Sequence, residues 1–366
     1  MRIGIDARPA GEVKAGIGAY VRELLVAFTL LNHKHDLLLY AREPWEGVEA
    51  TSRCRWRLVS GSDLKWNIRV AVHASRECDV YLSTNSYLTP WFLTIPSIVV
   101  VHDMISFNPT RLPHRNFAWV QRATIRPALR RARKVITVSE STRHDLVEQF
   151  PHAVDKTVVI HHAAQDRFTP KPHGDDAITR KYGLNRGYVL SVGTLEPRKN
   201  LPRLIEAFAL LPEDLRSTYD LVLVGASGWE ADQTFAAIAQ HASMVRTLGY
   251  VEDDELPALY RKATLFAFPS IYEGFGLPVL EAMQSGTAVL AGRTSSVPEV
   301  GGDAIHYVDP LSVADIRAGL NEMLRSPDER ARLALRGIER SKEFSWARAA
   351  IATLEVLERA GVDGRD

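Results

Sequence analysis

The sequence has few cysteines, almost no excess charge and no long apolar run. Its 366 residues include only two cysteines, Cys54 and Cys78. This number is too small for a disulfide framework or a four-cysteine metal site, and it suits a reducing compartment. Lys and Arg number 45 against 44 Asp and Glu, so the chain lacks the positive field on which nucleic-acid-binding proteins depend. We therefore expect no nucleic-acid partner.

Signals for export and for membrane insertion are also missing. The sequence begins without the apolar core and the small-residue cleavage site of a secretory signal. The most apolar region, residues 80–101, is interrupted by Pro90, Pro96 and several polar residues. It does not reach the roughly 18 consecutive apolar residues that a transmembrane helix needs. We therefore expect a cytoplasmic protein that does not span a membrane.

The length and the apolar pattern indicate two α/β domains. A chain of this length accommodates two domains of about 150 to 200 residues each. Short β-branched runs alternate with amphipathic stretches such as residues 17–31 and 141–150, which predicts parallel strands covered by helices. The strand-like runs form two series, the first at 2–5, 37–40, 97–101, 135–138 and 157–160 and the second at 188–192, 220–224, 244–248, 265–268 and 288–291.

A segment rich in proline and glycine separates the two series and is interpreted as a linker. The predicted fold class is α/β, with two doubly wound domains that face each other across a cleft. In such sheets ligands bind beyond the carboxyl ends of the strands. The predicted boundaries are an N-terminal domain at 1–165, a linker at 166–187, a C-terminal domain at 188–344 and a C-terminal helix at 345–366 that packs back on the N-terminal domain.

A glycine-containing segment after the run 265–268 has the features of a phosphate site. Gly274 and Gly276 allow the backbone to come close to a ligand, and Pro278 suits the first turn of the helix that follows. The amides of Gly276 and Leu277 at that helix start have no partner within the helix and favour an anion. A diphosphate is the natural ligand for such a site.

Two glutamates flank these glycines. Glu281 lies five residues beyond Gly276, about 7.5 Å along a helix axis, which is a suitable reach from a phosphate to a ribose. Glu273 precedes the glycines and would lie on the other side of the phosphates, where a sugar would be. We expect one carboxylate to bind ribose hydroxyls and the other to bind sugar hydroxyls. The alternative is that Glu281 is a solvated helix residue and Glu273 a charge at a helix N-terminus.

The loop after the first strand of the second series supplies cations. Arg198 and Lys199 follow Gly193 on this loop and are expected to neutralise a departing diphosphate. Asn200 is expected to cap a helix that starts at Leu201. The sequence contains no Asp-x-Asp triplet, so we predict no Mg²⁺ or Mn²⁺ site.

These motifs resemble family 4 of the retaining, nucleotide-sugar-dependent glycosyltransferases, which have the GT-B fold of two Rossmann-like domains. The resemblance covers almost the full length and is most specific at residues 193–200 and 268–298, where Glu273 and Glu281 have seven residues between them. It implies an acceptor-side N-terminal domain and a donor-side C-terminal domain.

The resemblance also implies roles for individual residues. Arg198 and Lys199 bind the donor diphosphate, Glu281 binds the ribose, and Glu273 contacts the transferred sugar. The backbone from Phe275 to Pro278 binds phosphate and sugar. The implied catalytic residues are His102, Arg198, Lys199 and Glu273. The implied donor-binding residues are Gly16, Gly18, Gly193, Arg198, Lys199, Val251, Glu273, Phe275, Gly276, Leu277, Pro278 and Glu281.

Three residues of the first half have two interpretations. Gly16 and Gly18 form a weak Gly-x-Gly pattern, because Val21 stands where a dinucleotide fingerprint has a third small residue. The resemblance places them beside the donor phosphates and the acceptor; the alternative is an ordinary glycine pair before a helix. His102 follows a buried-looking strand, and the resemblance aligns it with the active-site histidine of the family; the alternative is a buried histidine with a structural role.

The implied reaction transfers a hexose from a nucleoside diphosphate sugar to a hydroxyl, with retention at the anomeric carbon and without metal. The donor is a co-substrate, and no cofactor is expected. The pattern is most similar to bacterial mannosyltransferases of polysaccharide assembly. GDP-mannose is therefore the first choice, ahead of UDP-glucose, UDP-N-acetylglucosamine and dTDP-rhamnose. The expected acceptor is a glycan or is lipid-linked.

Three other functions share parts of this pattern. A nucleotide-sugar epimerase has the same fold. An NAD-dependent oxidoreductase would carry a complete glycine fingerprint and an acidic residue about 20 positions further on, and neither is clear. A non-catalytic, two-lobed sugar-binding protein would normally be exported, and it has no need of Arg198 and Lys199 beside a phosphate-binding helix start.

A basic stretch in the first half suggests a membrane partner. Residues 111–134 contain eight Arg and Lys and no Asp or Glu, with Trp119, Ile125 and Leu129 among them. Such a segment is able to lie on an anionic bilayer, here at the inner face of the cell membrane. The alternative is a solvated basic face whose apolar residues pack on the N-terminal domain.

Overall fold

The structure, a computed structural model, describes residues 1–12, 16–107 and 118–362. The chain divides into two compact units. Met1–His162 and Ser345–Asp366 form the first unit, and Ala163–Phe344 forms the second. Each unit is built around a parallel sheet of its own.

The first unit contains a seven-stranded sheet in the part of the chain that is described. Its strands are β1 (Arg2–Asp6), β2 (Asp36–Ala41), β3 (Cys54–Leu58), β4 (Val80–Ser83), β5 (Ser97–Val101), β6 (Lys134–Thr137) and β7 (Thr157–Val159). Neighbouring strands are parallel, and the order is β3-β2-β1-β4-β5-β6-β7. The order reverses between β1 and β4, so the sheet is doubly wound with its switch point there.

The second unit repeats this topology with six strands among its described residues. They are β8 (Gly187–Val192), β9 (Tyr219–Val224), β10 (Val245–Gly249), β11 (Leu265–Phe268), β12 (Val289–Gly292) and β13 (His306–Val308). The order is β10-β9-β8-β11-β12-β13, again with parallel neighbours. The switch point lies between β8 and β11.

Helices connect the strands of both sheets. They are α1 (Arg8–Glu12), α2 (Ile17–Leu30), α3 (Asp63–Glu77), α4 (Thr89–Phe92), α5 (Ala118–Arg131), α6 (Glu140–Gln149), α7 (Asp175–Lys181), α8 (Leu201–Ala209), α9 (Glu213–Thr218), α10 (Asp232–Gln240), α11 (Leu256–Lys262), α12 (Leu277–Gln284), α13 (Val297–Gly301), α14 (Val313–Arg325), α15 (Pro327–Ser341) and α16 (Trp346–Val362). Short 3-10 helices lie at Ile105–Phe107, Pro151–Lys156 and Pro197–Lys199. Within the described ranges, no helix is both long enough and apolar enough to cross a membrane.

The central strands are buried on both faces, which explains why they form continuous apolar runs in the sequence. Every residue of β4, β5, β11 and β12 is buried. In the first unit, Trp66 of α3 packs in one core with Tyr40 of β2 and Tyr81 of β4. In the second unit, Phe208 of α8 and Leu320 of α14 share a core with the sheet.

The predicted α/β fold class is confirmed, and each predicted strand-like run overlaps an observed strand. The two predicted series do not include β3, β4 and β13. β3 is an edge strand in which exposed Arg55 and Arg57 interrupt the apolar residues. β4 lies within the apolar region 80–101, and β13 is a three-residue strand in which His306 and Tyr307 are only half-buried.

The structure differs from the predicted linker at residues 166–187. These residues belong to the second unit and contain α7, which packs on α11. Arg261 donates to both carboxylate oxygens of Asp175, with Nε–Oδ2 at 2.8 Å and Nη2–Oδ1 at 2.7 Å. A buried bidentate pair of this kind fixes the segment to the unit, so its prolines and glycines mark turns and not a free connection.

The C-terminal segment 345–366 contributes α16 to the first unit, where it packs on α2 and β4. Ala350 and Leu357 of this helix are fully buried. At its first residue, the Trp346 ring stacks on His162 at a centroid distance of 5.7 Å. His162 in turn stacks on Tyr20 of α2 at 4.6 Å, so the first residue of the helix belongs to a cluster of three rings.

The basic stretch lies partly outside the described residues, which omit 108–117 and with them Arg111 and Arg115. In the described part, Ile125 and Leu129 of α5 are fully buried in the core of the first unit. Five arginines between positions 122 and 133 are exposed. These two apolar side chains therefore pack inside the first unit, and contact of the exposed arginines with an anionic membrane stays a prediction.

Candidate functional site

The loops after β8 and β11 meet at the switch point of the second sheet. The loop after β8 contains the 3-10 helix Pro197–Lys199, and the loop after β11 leads into α12. The backbone amide of Ile271 donates to the carbonyl of Arg198 at 2.8 Å, so the two loops are joined directly. The tertiary fold thus brings together two sequence motifs about 75 residues apart.

Four charged side chains alternate in sign across these loops. Arg198 donates from Nε to Glu196 Oε1 at 2.5 Å and from Nη1 to Glu273 Oε2. Lys199 donates from Nζ to Glu273 Oε1 at 2.7 Å. The formal charges of the two cations and the two carboxylates sum to zero. Of the predicted catalytic residues, the structure brings Arg198, Lys199 and Glu273 into direct contact.

Lys199 is a buried cation with a restricted environment. Lys199 is 7% exposed, and its Nζ lies 4.6 Å from the centroid of the Phe268 ring. Burial and the neighbouring Arg198 lower the pKa of Lys199, while the carboxylate of Glu273 opposes that shift. Gly193 has a φ of 147°, and a Cβ at that position would lie 3.0 Å from Lys199 Cε. The predicted donor-site glycine therefore provides the space that the lysine occupies.

Glu273 is held by its backbone as well as by its carboxylate. Its amide donates to Ser295 Oγ at 2.8 Å, and Ser296 Oγ donates to its carbonyl at 3.0 Å. Burial acts to raise the pKa of Glu273, but the charges of Arg198 and Lys199 outweigh it and hold the pKa below its ordinary value. The carboxylate is therefore ionised at neutral pH.

The start of α12 has the geometry that the sequence predicted for an anion site. Gly276 occupies the N-cap position with a φ of 106°, which favours glycine, and Pro278 lies in the first turn. Leu277 and Pro278 are half-buried. Phe275 turns its ring into the unit, where it packs edge-on against Phe344 at 5.8 Å. Only the backbone of Phe275 is thus suited to contact a ligand.

Glu281 lies on α12 and is half-buried. Its Oε2 accepts a hydrogen bond from the Tyr260 hydroxyl at 2.9 Å. Burial raises the pKa of Glu281 to about 7, although the hydrogen bond from Tyr260 and the charge of Arg167 act in the opposite direction. Glu281 is therefore not a freely solvated helix residue, which was the alternative left open by the sequence.

The first unit carries three more of the predicted residues, Gly16, Gly18 and His102. Gly16 is the N-cap of α2 with a φ of 56°, and Gly18 is buried in its first turn. His102 follows β5, and its Nε2 lies 2.8 Å from the carbonyl oxygen of Thr84. Burial lowers the pKa of His102 to about 4, so the ring is neutral at physiological pH. Since a carbonyl only accepts, Nε2 carries the proton and Nδ1 is left as an acceptor.

Val251 follows β10 and is buried. Strand β10 is at the edge of the second sheet, separated from β8 by β9. The placement of Val251 beside a nucleobase stays a prediction.

The sequence matches two family descriptions. Residues 175–340 match "Glycosyl transferases group 1", and residues 15–165 match "Glycosyltransferase Family 4". The O-antigen chain mannosyltransferase B of Escherichia coli is 35% identical over 267 residues, which are 72% of this chain and 70% of that protein. The chain belongs to the family 4 glycosyltransferases.

Further relatives and solved structures agree with this family. The serotype-specific mannosyltransferase WbdA of Escherichia coli is 32% identical over 74% of this chain, which spans 34% of that protein. HepE of Anabaena, solved in complex with UDP-glucose, has a TM-score of 0.80 at 17% identity and covers 98% of this chain and 100% of its own. Sucrose-phosphate synthase of Thermosynechococcus elongatus has a TM-score of 0.77 at 18% identity, with 98% of each chain covered. At these identities the likeness shows the fold alone, which is the GT-B fold.

Asn200 differs from its predicted role in this glycosyltransferase. α8 begins at Leu201 as expected, but the Asn200 side chain does not cap it. Its Nδ2 donates to the carbonyls of Pro269 at 3.0 Å and Pro310 at 2.6 Å, while its Oδ1 accepts from Arg203. All its polar atoms are therefore engaged, and the residue fastens the loop after β8 to the loop after β11.

Sequence reasoning missed several residues that support the glycosyltransferase site. Glu196 accepts from Trp229 Nε1 at 2.8 Å as well as from Arg198, which ties the loop after β8 to the loop after β9. Ser295 and Ser296 follow β12 and hold the Glu273 backbone. All four follow carboxyl ends of parallel strands, and that signal was available in the sequence. Among the described residues, no group of three or more His, Cys, Asp or Glu is placed to hold a metal ion.

Proposed function

We propose that this glycosyltransferase moves a hexose, with retention and without metal, from a nucleoside diphosphate sugar to a hydroxyl of a glycan or lipid-linked acceptor. The observation that supports this most strongly is the pair of cations Arg198 and Lys199 at the switch point, on a loop joined to the one that leads into α12. Cations and helix amides are the groups that stabilise a departing diphosphate.

The donor is proposed to bind in an extended manner along α12. Its diphosphate would contact the cations and the amides at the start of α12, and its ribose would reach Glu281 one turn further along. Glu273 would accept hydrogen bonds from hydroxyls of the transferred sugar. Glu281 is suited to the ribose because above its pKa of about 7 it is an ionised acceptor.

GDP-mannose is the proposed donor. Support comes from the relatives at 32% and 35% identity, both of which are mannosyltransferases of Escherichia coli. The first of them is an O-antigen chain enzyme, which supports a role in bacterial polysaccharide assembly. UDP-glucose, UDP-N-acetylglucosamine and dTDP-rhamnose are the other candidates, and UDP-glucose is the ligand of HepE, which shares the fold.

The proposed chemistry needs charge stabilisation more than proton transfer by a protein group. Two cations oppose the charge that develops on the diphosphate, which is the task that a metal performs in other transferases. The acceptor would attack from the face that the diphosphate leaves, and a phosphate oxygen would take its proton. His102 is neutral, and its Nδ1 is suited to accept a hydrogen bond from a sugar hydroxyl.

A thermal-shift panel of GDP, UDP and dTDP tests the donor site. A nucleotide at one hundred times its Kd stabilises the native state by about 2.7 kcal/mol, which is a shift of about 5–10 °C for a unit of this size. We expect GDP to give the largest shift. Transfer from GDP-mannose in the presence of EDTA, with the anomeric product configuration read by NMR, tests the reaction. No shift with any nucleotide would contradict the proposal.

Peripheral contact with an anionic membrane is a proposal that rests on the exposed arginines of α5. Flotation with anionic and neutral vesicles tests it, and the double variant Arg126→Gln/Arg130→Gln should release the protein from anionic vesicles. Equal flotation of the variant and the wild type would contradict it.

A further inference from the structure

Both oxygens of the Glu273 carboxylate are occupied by the two cations proposed to bind the diphosphate. Lys199 Nζ donates to Oε1 at 2.7 Å, and Arg198 Nη1 donates to Oε2. The Glu273 side chain is 7% exposed and that of Lys199 is 8% exposed. The Glu273 carboxylate is thus bound to the same cations that an anionic ligand would contact.

The surroundings fix this arrangement. Ser295 and Ser296 hold the backbone of Glu273 on both sides of its Cα, so the residue cannot move away as a whole. The Lys199 ammonium lies against the Phe268 ring, and its aliphatic end lies against Gly193, so it cannot easily follow a ligand to a new position. A diphosphate that takes up donors of Lys199 must therefore compete with Glu273 for them.

The energetic consequence depends on which ligand binds. A nucleoside diphosphate displaces the carboxylate from its cations and leaves a second anion beside the phosphates, which is unfavourable in a buried site. A nucleoside diphosphate sugar also displaces it, but the sugar offers hydroxyls that donate to the released carboxylate. The cost of displacing the carboxylate is therefore compensated when the intact donor binds. It is not compensated when the nucleoside diphosphate product binds.

We propose that Glu273 is a built-in competitor of the diphosphate, which lowers the affinity of the enzyme for its nucleoside diphosphate product relative to the sugar-bearing donor. This inference rests on the proposed function and deepens it. Glu273 contacts the sugar on the donor and, by returning to Lys199 and Arg198 after transfer, helps to displace the product.

The test compares GDP with GDP-mannose by isothermal titration of the full chain. Glu273→Gln removes the competing charge and keeps the shape of the side chain. We expect the variant to bind GDP about tenfold more tightly than the wild type. Its affinity for GDP-mannose should rise much less, and it should lose the transfer of the sugar. Glu273→Asp retains the charge and should not tighten GDP binding. Glu255→Gln, a carboxylate-to-amide change at an exposed ion pair with Lys181, is the matched control.

A double variant identifies the cation involved. In a Lys199→Ala background, Glu273→Gln should give a smaller gain in GDP affinity, because the main shared partner is gone. Equal or weaker GDP binding by Glu273→Gln, with a native melting transition, would overturn the inference while leaving the donor site in place. A wild type that binds none of GDP, UDP and dTDP would overturn the proposed function, and this inference with it.

Discussion

Replacement of Glu281 by Gln is expected to stabilise the protein at alkaline pH while it weakens the donor site. Burial raises the pKa of Glu281 from 4.5 to about 7, so the folded state holds the proton more tightly than the unfolded state. At about 1.4 kcal/mol per pKa unit, ionisation of Glu281 costs the folded state up to about 3 kcal/mol. Partial exposure of the side chain to solvent makes this an upper value.

The sign and the pH window follow from linkage. The unfolded carboxyl loses its proton near pH 4.5 and the folded one near pH 7, so this cost appears as pH rises between these values and is complete above pH 7. Glu281→Gln should therefore raise the free energy of unfolding by up to about 3 kcal/mol at pH 8 and by up to about 1 kcal/mol at pH 5. The Tyr260 hydroxyl is still able to donate to the amide oxygen of the variant.

Urea unfolding at both pH values, followed by tryptophan fluorescence, measures this difference. Glu255→Gln is the control, since Lys181 and Tyr182 lower the pKa of Glu255 and its removal should give no gain at pH 8. Nucleotide affinity at pH 8 should fall about tenfold in Glu281→Gln, because a neutral amide replaces an ionised acceptor. A loss of stability at pH 8, or an equal gain at both pH values, would refute the reasoning.

Three further predictions concern the cation cluster and the first unit. Lys199→Ala should lower kcat about 10²- to 10³-fold, measured by donor turnover, with circular dichroism to verify that the variant is folded; near-normal turnover would exclude the proposed role. Gly193→Ala should lower the melting temperature and the nucleotide affinity together, because its Cβ would crowd Lys199 at a strained φ; an unchanged melting curve would contradict this. His102 should show no NMR titration between pH 5.5 and 8, because desolvation lowers its pKa to about 4; a midpoint near 6.5 would contradict this shift.

Much of the fold was predictable because parallel strands buried on both faces are continuous apolar runs in the sequence. The runs at 97–101 and 265–268 coincide with β5 and β11 to the residue. β3 was missed because it is a sheet edge, where polar residues are tolerated on the exposed side. The predicted linker at 166–187 differs from the structure because proline and glycine content indicates turns but does not reveal that Arg261 binds Asp175.

The sequence indicated on which loops and helix starts the candidate residues lie, but it did not indicate how they are arranged. Gly276 and the two cations could be placed on strand-to-helix loops, and Pro278 in a first helical turn, because local spacing determines where helices begin. No local pattern indicates that Glu273 joins Lys199, because that contact requires β8 and β11 to be neighbours in the sheet. The same holds for Glu196 and Trp229, which lie on loops after adjacent strands.

The sequence by itself determined the class of fold, the family and the chemical types of the site residues, because these depend on apolar periodicity and on short motifs. Only the tertiary structure decided the charge states and partners of those residues. Burial raises the pKa of Glu281 and lowers that of His102, and the opposing cations keep Glu273 ionised. Such effects arise from desolvation and from contacts between distant segments, and neither is encoded in local spacing.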